Sequence, residues 1–82
     1  MDKIAEVREE IDIIDSKIMK LLDERFDKTS LIGLLKKESN TNVLDQNREE
    51  IIFDKTSKYS HSPELRNIYT TIMTESKKLQ RK

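Results

Sequence analysis

The sequence has no cysteine and no tryptophan, and its 82 residues include one glycine, one proline, two tyrosines and two phenylalanines. Without cysteine there can be no disulfide framework and no thiolate metal site, so a reducing compartment is the simplest home. Excess charge of either sign is also missing, since 16 Lys and Arg balance 16 Asp and Glu. A protein that grips a phosphate backbone normally carries a basic surplus, so no nucleic-acid partner is expected. No stretch approaches the ~20 apolar residues of a membrane span. The opening Met1-Asp2-Lys3-Ile4-Ala5-Glu6 places acids where a signal peptide is apolar. The expectation is a cytoplasmic protein without membrane contact, forming a single domain over residues 1–82.

Scarcity of Gly and Pro, beside abundant Lys, Glu, Ile and Leu, favours helices over turn-rich strands. At 34% hydrophobic and 39% charged, the chain is also short of core material. A lone domain of this size is marginal even with a normal apolar share, so a second copy is expected to help hold it together. Apolar residues at Ile4, Val7, Ile11, Ile14, Ile18 and Leu21 step by three and four, one stripe of a helix. No strong turn signal follows until Ser39-Asn40-Thr41-Asn42, which predicts a first helix over about residues 2–37. At the helical rise that is roughly 50 Å, longer than the ~30 Å diameter of a compact chain this size. Such a helix either protrudes or packs along its equivalent in another subunit, and a stripe apolar through its first 20 residues favours packing. A second helix is expected over 43–58, with Asp45 in its first turn, and a third over 63–81, with Ser62 as N-cap and Pro63 first.

Polar residues interrupt these stripes. Extending the first beyond Leu21 reaches Arg25, Ile32 and Lys36, so two cations stand where core-facing residues belong. Arg8 lies one turn from both Ile4 and Ile11, Arg48 and Glu49 precede Ile51 and Ile52, and Asp45 lies one turn earlier. On the third helix the stripe through Ile72 continues to Ser76 and Gln80. Gly33, mid-helix at a cost of about 1 kcal/mol, suits the close approach of another element. Arg25 and Lys36 can snorkel outward or pair with Glu49 and Asp45 as structural ion pairs. Alternatively they line a polar cavity. Arg8, Arg25, Lys36 and Arg48 against Asp45 and Glu49 leave two positive charges in excess, which suits a small dicarboxylate because guanidinium binds carboxylate bidentately.

Other features read more plainly. His61 is a solvated loop residue, and one His without Cys makes a poor metal site. Met19 and Met73 are core filler. Lys77, Lys78, Arg81 and Lys82 are basic residues well placed at a helix end, and Asp27-Lys28-Thr29-Ser30 marks a solvent-facing or inter-subunit edge.

Taken in order, these elements resemble the all-helical (type II) chorismate mutases over essentially the whole chain. Arg8-Glu9-Glu10-Ile11-Asp12-Ile13-Ile14-Asp15 is similar to that family's first-helix signature, Leu21-Leu22-Asp23-Glu24-Arg25 to its "LL.eR" element, and Ile32-Gly33-Leu34-Leu35-Lys36 to its "ig..K" element. Asp45-Gln46-Asn47-Arg48-Glu49 matches "D..RE", and Glu75 to Gln80 matches the terminal "eS...Q". The resemblance implies an all-α, three-helix chain in an intertwined, domain-swapped homodimer whose two active sites each draw on both chains. It implies conversion of chorismate, a dicarboxylate, to prephenate in phenylalanine and tyrosine biosynthesis, an intramolecular Claisen rearrangement that needs no cofactor or metal. Carried over by position, Lys36 and Gln80 would donate to the ether oxygen, Arg25 would clamp a carboxylate, and Glu49 would accept the ring hydroxyl. Arg8 would reach in from the other subunit, with Arg48, Asp45 and Ser76 completing the binding set. Rival readings are an isochorismate-pyruvate lyase of the same fold and a non-catalytic helical dimerisation or regulatory module. Ser76 and Glu49 look more like the mutase, and a pure scaffold has no use for a cation and an amide converging on one point.

Overall fold

The computed structural model describes residues 2–82 as three helices, α1 (Lys3–Glu38), α2 (Gln46–Thr56) and α3 (Ser62–Gln80), with no strand among the described residues. Asp2 caps α1 by accepting the Ile4 N–H at 2.9 Å, so the helix begins one residue later than the stripe suggests. At its other end Asn40 takes a left-handed conformation, φ 56°. The N–H of Thr41 returns to the Lys36 carbonyl at 2.8 Å and that of Asn40 to Lys37, a Schellman close that turns the chain sharply.

The second helix is shorter than the expected 43–58. Asp45 is not in its first turn but caps it, its carboxylate accepting the Arg48 N–H at 3.0 Å. At the far end the N–H groups of Ser57, Lys58 and Tyr59 fall back on the carbonyls three residues earlier, which tightens and stops the helix at Thr56. Ser62, expected as the cap of α3, is instead its first helical residue. His61 holds the cap position without a side-chain bond, and Pro63 supplies the fixed φ of the first turn.

α1 and α2 each pack on α3 and not on one another. Arg25 meets Tyr69 and Ser76, and Gly33 meets Gln80, so α1 and α3 run side by side in the same sense. α2 runs opposite to α3, with Glu49 beside Lys77 and the Arg66 guanidinium carbon 5.1 Å from the centroid of the Phe53 ring. Ile52, Ile72 and Met73 form the small buried core. Gly33 is buried because the α3 backbone lies against it: a Cβ there would stand 2.6 Å from both the Cα and the carbonyl oxygen of Gln80.

The first half of α1 has no counterpart. Ile4, Val7, Ile11, Ile14 and Ile18 are 47–61% exposed, and Met19, expected in the core, faces outward as well. The chain measures 58 × 23 × 15 Å with a radius of gyration of 16.2 Å, against about 12 Å for a compact chain of this length. No helix among the described residues is long and apolar enough to cross a membrane.

Candidate active site

The three helices and the loop after α1 enclose a hollow of about 500 Å³. It is lined from α1 by Arg25, Lys28, Thr29, Ile32 and Lys36, from the loop by Val43 and Asp45, from α2 by Arg48, Glu49 and Ile52, and from α3 by Met73, Ser76, Lys77 and Gln80. Seven of the eight residues singled out by the sequence thus face one space. The eighth, Arg8, lies elsewhere: it is exposed on α1, about 25 Å from Arg25 along the helix.

Arg25 and Lys36 are held, not splayed into solvent. Arg25 Nη1 donates to Ser76 Oγ at 2.8 Å, and the guanidinium lies 5.9 Å from the Tyr69 ring centroid. Ser76 is 4% exposed and gives its own proton to the Ile72 carbonyl at 2.6 Å. With its donor committed, the hydroxyl acts on Arg25, fixing a guanidinium that retains further N–H groups for a carboxylate. Lys36 Nζ donates to the Val43 carbonyl at 2.8 Å, which ties the ammonium to the turned-back loop and leaves two of its three N–H donors free. The structural ion pairs considered for these cations do not form among the described residues. Asp45 is spent on capping α2 and Glu49 pairs with Lys77 at 3.1 Å. The Asp45 carbonyl also accepts from Glu49 N–H, so its main chain and one carboxylate oxygen both serve the start of α2. Arg48 stands exposed at the mouth, on the first turn of α2.

Gln80 closes the hollow at the end of α3, seated by the contact of its backbone with Gly33. Its side-chain oxygen is the one buried side-chain polar atom without a partner among the described residues. An acceptor buried unpaired costs roughly 1–3 kcal/mol, so this oxygen is open to a donor such as a hydroxyl.

Three lining residues were not singled out by the sequence. Lys28 and Thr29, expected on a solvent or inter-subunit edge, line the hollow, and so does Lys77, expected as an ordinary helix-end cation. The signal lay in the spacing: Lys28 and Thr29 follow Arg25 by three and four residues, and Lys77 follows Met73 by four and precedes Gln80 by three. Five cations therefore face two acids across the hollow. A small, cation-rich cavity inside a helical bundle has the charge and size to take a compact polyanion.

Comparison with known proteins gives the class its family. Residues 7–81 match the family described as chorismate mutase type II, and the chain belongs to that family. It is 36% identical over 58 residues to a chorismate mutase of Methanocaldococcus jannaschii, a match spanning 71% of this chain and 59% of that protein. It is 40% identical over 55 residues to a bifunctional chorismate mutase/prephenate dehydratase of Aquifex aeolicus, 67% of this chain and 15% of that protein. The matched stretch is thus less than two thirds of either relative. A solved structure of a conserved hypothetical protein from Pyrococcus furiosus superposes with a TM-score of 0.88 at 34% identity, covering 99% of both chains.

Proposed function

We propose that the chain is a chorismate mutase, acting as a homodimer in the cytoplasm and serving phenylalanine and tyrosine biosynthesis. The observation that carries the reading is the hollow itself, in which Arg25, Lys36 and Gln80 converge from two helices and the first two are held by neighbours before any substrate arrives. In the reaction one C–O bond of the enolpyruvyl ether breaks as a C–C bond forms to the ring. The electrons move within one molecule, so no nucleophile and no net proton transfer is needed. Negative charge gathers on the ether oxygen in the transition state. Lys36, with two N–H donors left, and the amide N–H group of Gln80 donate to that charge, a stabilisation of about 10²–10³ in rate per donor. Arg25, oriented by Ser76, and Arg48 hold the carboxylates so that the side chain lies over the ring in a reactive geometry. Glu49 accepts the ring hydroxyl.

The bare stripe of α1 belongs to the same reading. Ile4, Val7, Ile11, Ile14 and Ile18 leave an apolar face open along a helix that extends past its own bundle. The equivalent helix of a second chain covers it, which brings Arg8 of the partner subunit to the hollow that its own chain cannot serve.

The test is to incubate the purified protein with chorismate and identify the product. Prephenate is expected, with sedimentation showing a dimer at micromolar concentration. Lys36→Ala is expected to lower kcat/KM at least ~10²-fold while helicity and dimer persist. Absence of turnover by the unaltered protein would overturn the reading, and pyruvate from isochorismate would replace it with the lyase. A well-folded monomer would remove the shared site.

A further inference from the structure

Lys77 has no part in the reading above, yet it stands inside the hollow with its Nζ 3.1 Å from Glu49 Oε1. The pair is partly sheltered, the two side chains being 30% and 22% exposed. It is the one ion pair among the described residues that joins two helices, since the other, Lys78 with Glu75, lies within α3 on the surface. Every other charged group facing Glu49 is engaged otherwise or pairs with nothing there. From α2, Asp45 caps the helix and Arg48 stands exposed; from α1, Arg25 is held by Ser76, Lys36 by Val43, and Lys28 is exposed.

We infer that Lys77 is a positioning residue for the reaction, holding the Glu49 carboxylate inside the hollow where it meets the ring hydroxyl of the bound dianion. The inference rests on the mutase reading and adds a residue to it. A glutamate side chain has three torsions, and no other hydrogen bond or ion pair among the described residues pins this one. When the substrate enters, two carboxylates approach a third, and like charges at short range drive the mobile one away. The mobile one is Glu49, because the substrate's are clamped by guanidinium groups. An ammonium 3.1 Å from Glu49 Oε1 offsets that repulsion and removes the torsional freedom before binding. The substrate then meets an acceptor already in place.

The test is a double-mutant cycle read in the mutase assay. Lys77→Met keeps the aliphatic stem and removes the charge. kcat/KM is expected to fall about tenfold, the equivalent of ordering one long side chain. Most of that loss should lie in KM, since the ring hydroxyl is held alike in ground and transition states. Combined with Glu49→Gln, the same change is expected to cost less than about twofold further, because the residue it acts through is already altered. Lys77→Arg, which can also pair with a carboxylate, is expected to restore most of the activity. Melting should move by only a few degrees, as befits a partly exposed pair. An active Lys77→Met at the parental rate overturns the inference, as does an undiminished loss in the Glu49→Gln background or a loss that Arg does not repair. These outcomes leave the mutase reading standing. An unaltered chain without turnover overturns both.

Discussion

Gly33→Ala separates stability from catalysis more cleanly than any other single change. A methyl at this position would lie 2.6 Å from the Gln80 Cα and carbonyl oxygen, both main-chain atoms that no rotamer change can move aside. Carbon–carbon contacts relax at about 3.5–4.0 Å, so the end of α3 must retreat by about 1 Å. Overpacking of this kind costs about 1–3 kcal/mol, while replacing Gly by Ala within a helix returns about 1 kcal/mol. The net is a destabilisation of about 0–2 kcal/mol, a drop of no more than roughly 10–15 °C in Tm. A folded state with a typical reserve of about 5–15 kcal/mol remains almost fully populated at 25 °C. Catalysis has no such reserve. Gln80 is carried on the displaced turn, and a 1 Å misplacement of a reacting group can cost about 10²-fold. The expected result is kcat/KM down by about 10² in a protein whose circular dichroism and dimer are intact. Parental kcat/KM in Gly33→Ala, measured beside its thermal melt, would refute the argument, because it would mean that the seat of Gln80 is not what sets its position.

Two further outcomes test the shared site and the ether contact. Arg8→Ala and Arg25→Ala are each expected to be nearly inactive alone. If mixed in equal amounts and allowed to exchange subunits, they should recover roughly a quarter of parental activity. Half of the random dimers then carry both variants, and each of those has one intact site; no recovery on mixing would overturn the shared site. Gln80→Glu should turn a pH-indifferent donor into one that works only when protonated. Its kcat/KM should therefore rise as pH falls toward the ordinary glutamate range near ~4.3, relative to the parent at each pH. A constant ratio of variant to parent across pH 4.5–8 would contradict the donor role.

Much of the architecture was legible because helical periodicity survives on such a charged chain. Ile4 to Leu21 announces both a helix and its lack of an internal partner, and Arg25 and Lys36 mark the hollow by standing where apolar residues belong. Gly33 promised a close approach, and the Gln80 backbone supplies it. The ends of elements were less legible, since Asp45 as cap and Asp45 as first-turn acid look alike in sequence until the backbone shows which N–H the carboxylate accepts. Ser76 marked the site but not its immediate partner. Whether a buried hydroxyl faces a ligand or a guanidinium depends on the distance between α1 and α3. Lys77 was hidden by its company, because a run of Lys at a helix end looks solvated whether or not one member turns inward.

The length of α1 has a consequence for how this chain can change. In the proposed dimer a single unbroken rod carries Arg8 for one catalytic centre and Arg25 for the other, about 25 Å apart. Inserting or deleting one residue between them would swing one arginine by about 100° around the axis as well as shift it along. Exposed positions on the outer side of this segment can accept many side chains, yet its count of residues cannot vary. The rod is a spacer with a fixed phase, and two reaction centres keep time by it.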